Sequence, residues 1–202
     1  MKKRIILLGL LLSVGGQIVY SQVRKTPSIF SQKKLYELKQ AADQGDAEAE
    51  TALGEAFDFG KITPQDYQKA FFWYQKAADQ AVAEAQYNLG GLYYKGAGRP
   101  KDGEKAVYWY RKAADQGYID AQRNLALLYA KGELVPQSDE QAVYWYQKAA
   151  DQGNADAQRA LGSAYALGKG VPRNKEKALF WIGKAADQGD AEAQKLLAML
   201  AR

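Results

Sequence analysis

Between residues 83 and 117 the apolar positions fall into two stripes. Ala85, Leu89, Leu92 and Tyr93 share one face of the stretch 82–95, with Gly96 directly after it. Steps of three and four residues mark an amphipathic helix, here called helix A. A glycine just past its end suits the left-handed residue that closes such a helix. Pro100 punctuates a turn, and a second stripe of Ala106, Trp109, Tyr110 and Ala113 predicts helix B, closed by Gly117. Asp102 precedes helix B, and its counterparts along the chain are Asp66, Ser138 and Asn174. All four side chains accept hydrogen bonds from the free N–H groups that begin a helix, and Ser138 with Gln141 spells a capping box.

The same pattern then recurs. Trp73, Trp109, Trp145 and Trp181 are the only tryptophans, each 36 residues after the last. "AADQ" begins at Ala41, Ala77, Ala113, Ala149 and Ala185; Pro64, Pro100, Pro136 and Pro172 keep the interval, as do Gly60, Gly96, Gly132 and Gly168. A fixed period over four units is the mark of a solenoid, in which each unit buries its apolar face only against its neighbours. "AVYWYRKAADQG" (106–117) returns as "AVYWYQKAADQG" (142–153) with one change. A cluster demanded by every unit is expected to be packing: small alanines let A and B approach, and Trp and Tyr fill the space between one hairpin and the next.

The units resemble the Sel-1-like repeat, a relative of the tetratricopeptide repeat. The likeness is carried by "AEAQYNLGGLYYKGAGRPKDGEKAVYWYRKAADQG" (83–117) and "ADAQRALGSAYALGKGVPRNKEKALFWIGKAADQG" (155–189) and covers about 41–202. It implies an all-α fold, a right-handed superhelical solenoid of antiparallel helix pairs, whose members act mostly as adaptors in protein complexes, many of them bacterial and exported. Units are expected at 41–76, 77–112, 113–148 and 149–184, with a partial unit at 185–202. Residues 22–40 form a leader and an N-terminal capping helix, in which Glu37 stands where tryptophan is due. Leu197 and Leu200 continue the core register at the other end.

Composition narrows the chemistry. The chain has 202 residues, no Cys, no His and a formal charge of +5. Three of its cations, Lys2, Lys3 and Arg4, precede an apolar run from Ile5 to about Val14, and Val19 and Ser21 sit correctly for cleavage before Gln22. Residues 1–21 read as a secretory signal peptide, so the protein is expected in the periplasm or secreted. An uncleaved anchor, the one membrane attachment left open, is the alternative. Without that segment the net charge is about +2, too small and too dispersed to imply a nucleic-acid partner. The absence of Cys and His removes disulfides, the usual zinc ligands and the commonest general base. No metal or other cofactor is expected.

Function is then expected on helix A positions that vary between units and face away from the core. The wall reads acidic at Glu48, Glu55 and Asp58, aromatic at Tyr87 and Tyr94, and basic at Arg123, Lys131 and Arg159. The candidate partner-binding residues are Tyr87, Tyr94, Lys95, Arg123, Leu127, Lys131 and Arg159, since Tyr and Arg are enriched at interface hot spots. They point to an exported adaptor binding a protein or peptide on the concave helix A face. A second surface runs along Phe72, Tyr108, Tyr144 and Phe180, each just before a tryptophan. The alternatives are an immunity protein against a secreted toxin, a role that some exported relatives play, and a β-lactamase-like hydrolase. The last rests on the activity of a disulfide-linked branch of the family and on Ser31 and Lys34 in "SQKK". This chain lacks the cysteines of that branch and any "SDN" or "KTG", so it is not expected to be an enzyme.

Overall fold

The structure is a computed structural model that describes residues 29–200. The expected signal segment and most of the leader lie outside them. The described residues form helices without strands: α1 (Ile29–Asp43), α2 (Ala47–Phe59), α3 (Tyr67–Asp79), α4 (Ala83–Lys95), α5 (Gly103–Asp115), α6 (Ile119–Lys131), α7 (Asp139–Asp151), α8 (Ala155–Leu167), α9 (Lys175–Asp187) and α10 (Ala191–Leu200). The even-numbered helices are of type A and the odd-numbered of type B. From α2 to α8, each A helix packs most closely on the B helix that follows it and next on the B helix before it, and α10 packs on α9. The stack is a right-handed solenoid of antiparallel pairs.

The helix ends form as the residues demand. Asp66, Asp102, Ser138 and Asn174 cap α3, α5, α7 and α9 with their side chains. The capping box at Ser138 is only half made: its Oγ accepts from the Gln141 N–H at 3.2 Å. The Ser138 N–H is already spent on the Tyr129 carbonyl, and the N–H groups of Asp66, Asp102 and Asn174 bond equivalent carbonyls of Phe57, Tyr93 and Tyr165. Those bonds tie the start of each B helix to the end of the A helix before it. After the B helices the chain turns through a positive φ, 86° to 90° at Gly45, Gly117, Gly153 and Gly189 but 64° at Ala81, where the side chain makes that region costly.

Alanine makes the close approach possible. Ala85, Ala121 and Ala157 on A helices and Ala70, Ala106, Ala142 and Ala178 on B helices are buried, together with Leu53, Leu89, Leu125 and Leu161. Trp109, Trp145 and Trp181 are buried as expected, and Trp73 is partly so. Trp181 of α9 belongs to one buried cluster with Ala149 and Ala150 of α7 and Ala157 and Leu161 of α8, so the cluster spans two hairpins. Each buried leucine contributes about 1.5–3 kcal/mol, and every unit leans on its neighbours for that burial.

Candidate functional site

On the A-helix wall, the tyrosines of the B helices come through from behind. Tyr110 lies over Gly90, where a Cβ would sit 2.9 Å from its ring. Tyr74 lies over Gly54 in the same way, and Ile182 over Gly162. The missing side chains leave room for these residues against the A helices, and Tyr110 thereby lines a pocket on the wall. Burial drives the pKa of the Tyr74 and Tyr110 hydroxyls well above that of free tyrosine, so both remain neutral donors. The Tyr74 hydroxyl donates to Asp58 Oδ2 at 3.4 Å.

Around the tip of Tyr110 lies a pocket of about 60 Å³ lined by Tyr94, Tyr110, Asn124, Leu127, Leu128, Lys131 and Glu133. Three of the residues singled out in the sequence, Tyr94, Leu127 and Lys131, thus meet at one site. Its floor is apolar and aromatic, and its rim carries an amide and a loosely paired Lys131 and Glu133, 3.7 Å apart. Asn124 Nδ2 donates to the Tyr87 hydroxyl at 3.3 Å.

The other candidates are more committed to the chain than their spacing suggests. Tyr87 is half-buried, with ring centroids 5.6 Å from Tyr110 and 5.1 Å from Tyr118. Asp58, expected on the open wall, is buried; desolvation raises its carboxyl pKa, partly offset by the charge of the exposed Lys95 nearby. Arg123 pairs with Asp156 at 3.8 Å. Arg159 is held by Asp190 at 2.8 Å and by Asp156 and Glu192 at 3.2 Å. Its position in α8 matches that of Arg123 in α6, so the two arginines form a ladder in which each reaches an acid 33 residues on. The basic end of the wall is largely neutralised from within.

The acidic end is different. Glu48, Thr51, Ala52, Glu55, Val82 and Glu84 line a shallow cleft between α2 and α4. Desolvation and the charge of Glu84 raise the pKa of Glu55. Among the described residues no cation forms an ion pair with Glu48, Glu55 or Glu84.

Spacing did not reveal Tyr110 or Glu133 as parts of the pocket, although the glycines at 54, 90 and 162 were a signal that something crosses there. Nor did it reveal Glu50, which replaces the buried Gln86, Gln122 and Gln158 of the later units. Its carboxylate is fully buried, 2.8 Å from Lys76 Nζ and 2.8 Å from the Gln80 amide. Phe72, Tyr108, Tyr144 and Phe180 expose half their surface or more, each edge-on to the following tryptophan with a lysine over its ring. Ser31 and Lys34 fall on α1, where Lys34 is exposed. No group of acidic residues suited to holding a metal ion occurs among the described residues, and no described helix is long and apolar enough to cross a membrane.

The repeated hairpins match the Sel1 repeat at 47–82, 83–118, 119–154 and 155–190, and the chain belongs to that family. Sel1 repeat proteins are scaffolds for protein interaction. Among solved structures, the chain is 40% identical to c5321, a protective antigen of uropathogenic Escherichia coli with this fold; the match covers 79% of this chain and 34% of that one at a TM-score of 0.76. A Sel1 repeat protein of Oxalobacter formigenes is 36% identical over 84% of this chain and 49% of its own, also at 0.76. The chain therefore spans half or less of both. The immunity protein Pa5087 of Pseudomonas aeruginosa is 28% identical over 81% of this chain and 60% of its own, with a TM-score of 0.49, too low to carry anything over. No curated protein matches the chain.

Proposed function

We propose that the chain is an exported interaction adaptor that binds a protein or peptide segment on the concave, A-helix wall. The observation that carries this reading is the gathering of Tyr94, Leu127 and Lys131 around an open apolar pocket, on a wall where Tyr87, Arg123 and Arg159 are engaged by other residues of the stack. A pocket floored by leucine and tyrosine suits a side-chain anchor, and truncating such a contact costs about 1–3 kcal/mol of binding. The amino-terminal pattern supports export, which the mass of the protein recovered from envelope fractions would test: a chain beginning at Gln22 is expected.

The binding reading is tested by affinity capture from an envelope extract, followed by titration of the purified partner. Tyr94→Ala is expected to weaken the complex at least fivefold, and Leu127→Ala, which lines the same pocket, to weaken it further. Full affinity in the double variant would move the site away from this wall, with the Phe72, Tyr108, Tyr144 and Phe180 stripe as the surface to examine next.

A further inference from the structure

The arginine ladder has a gap. Arg123 neutralises Asp156 and Arg159 neutralises Glu192, each from the fifth residue of one A helix to the second of the next. In the two preceding units that fifth residue is Thr51 or Tyr87, so Glu84 and Asp120 receive no cation from it. Glu84 is left beside Glu48 and Glu55 in the cleft between α2 and α4. Glu84 repels the partly desolvated Glu55, with the charge of Lys61 only partly opposing it, and Glu48 lines the same cleft, so the group favours a cation supplied from outside. Arg123, Lys131 and Arg159 are already matched within the chain, whereas Glu48, Glu55, Glu84 and Asp120 have no ion pair among the described residues; from α2 to α8, apart from Lys95, the wall's unpaired charge is negative.

The apolar pocket lies one unit further along and nearer the carboxyl ends of the A helices. Gly91 keeps the wall low there: a Cβ at that position would lie 3.6 Å from the Tyr110 hydroxyl, an ordinary contact, so space and not backbone strain is what the glycine leaves. Successive A helices lie roughly 8–10 Å apart. The two sites are also offset by about six residues along the helix axis, roughly 9 Å at 1.5 Å per residue. Their centres are then on the order of 12 Å apart, which an extended chain spans in about three to four residues.

From these placements, and resting on the proposed A-wall binding, we infer that the partner presents an extended segment with a lysine or arginine about three to four residues from a leucine, methionine or phenylalanine. The basic side chain enters the Glu48, Glu55 and Glu84 cleft, and the apolar one enters the pocket of Tyr94, Tyr110 and Leu127. Charge selects the segment and spacing sets its register.

A random dodecapeptide display library panned on the full chain tests this, with enriched peptides then synthesised and titrated by fluorescence anisotropy. Enrichment of that basic and apolar pairing is expected. Affinity should fall at least tenfold in Thr51→Arg, which supplies the missing rung to Glu84, and in Gly91→Leu, which fills the space beside Tyr110. Unchanged circular dichroism shows that these variants fold, and Glu55→Gln with Glu84→Gln repeats the charge test without adding bulk. Peptides that need Tyr94 yet ignore Thr51→Arg and the double glutamine variant would overturn this inference and leave the A-wall reading standing. Peptides indifferent to Tyr94 and Gly91→Leu but lost in Tyr108→Ala or Tyr144→Ala would overturn both. No enrichment over the bare support would overturn the inference, and capture of a partner from the envelope would then decide the A-wall reading on its own.

Discussion

Gln116 Nε2 lies 2.8 Å from Gln86 Oε1, thirty residues apart in sequence. Gln86 in turn donates to the Ala78 carbonyl at 3.1 Å, so one buried amide joins its own hairpin to the one before. The same two links recur through Gln152, Gln122 and Ala114, and through Gln188, Gln158 and Ala150. This explains why "AADQ" and the Gln of helix A keep step along the chain. Gln122→Leu is expected to cost about 1–3 kcal/mol, because it strips partners from buried polar groups without changing side-chain length much. Urea denaturation would measure it, and a midpoint equal to that of the parent would show that the ladder does not hold the stack.

The first unit replaces that amide with Glu50, and Lys76 supplies the charge it needs. Lys76→Met should cost about 2–4 kcal/mol, since a fully buried carboxylate loses its cation, with a discount for the solvent that reaches the lysine. Adding Glu50→Gln should recover most of the loss by restoring the residue of the other units. A double-mutant cycle in thermal unfolding measures the coupling, and strictly additive losses would dissociate the two residues.

Ala81 holds φ at 64°, where glycines in the other units reach 86° to 90°. Gln80, Gln152 and Gln188 each bond the carbonyl of such a glycine, at Gly45, Gly117 and Gly153, whereas Gln116 makes no such bond to Ala81. Ala81→Gly is therefore expected to gain up to about 1 kcal/mol by letting the backbone relax toward the common conformation. A loss of stability in calorimetry would mean that the alanine methyl is needed where it is.

Trp145→Ala is expected to cost about 3–5 kcal/mol, as for other buried aromatic truncations. Trp145→Phe should cost less than the area lost suggests, because the buried indole N–H has no hydrogen-bond partner among the described residues. Trp73→Ala, at a less buried site, should cost less than Trp145→Ala. Equal melting temperatures for Trp145→Ala and the parent would refute the packing role.

Asp58 sets a pH dependence of definite sign. Its folded pKa is raised, chiefly by burial. Between its unfolded value and this higher folded value the native state keeps a proton that the unfolded chain has lost, so stability falls as pH rises through that window. Asp58→Asn cannot ionise, and its carbonyl can still accept from Tyr74. The variant is expected to gain on the parent from about pH 4 upward and then hold a constant lead, measured as the difference between melting temperatures at each pH. A difference that does not change with pH would show that Asp58 is no more desolvated than a surface carboxylate. The depressed pKa values of Asp66, Asp102 and Asp190 act at lower pH and in the opposite direction, and they cancel in the comparison.

Local and repeated features are legible in the order of the residues alone. Ser138 caps a helix because of its own side chain and the free N–H groups beside it, and Gly96 ends one because it alone tolerates the backbone angle cheaply. Tyr94, Leu127 and Lys131 are legible as wall residues because they face away from a stripe that repeats. Tyr110 reads as core, and it is; its tip nevertheless forms part of the pocket, because Gly90 and Gly91 together let it through.

The sequence by itself determined the period, the helices, their caps, the packing alanines and the family, all of which follow from local preference and from the same residues returning every 36 positions. Only the tertiary structure decided which of the wall's charges are open. Whether Arg159 is free depends on Asp190 and Glu192, whether Tyr87 is an anchor depends on Tyr118, and whether Asp58 is exposed depends on Tyr74. Those partners lie on other helices or the turns between them, 16 to 33 residues away. Ion pairing and desolvation act over a few ångströms of space, and the distance between two such side chains is set by how one helix packs on the next.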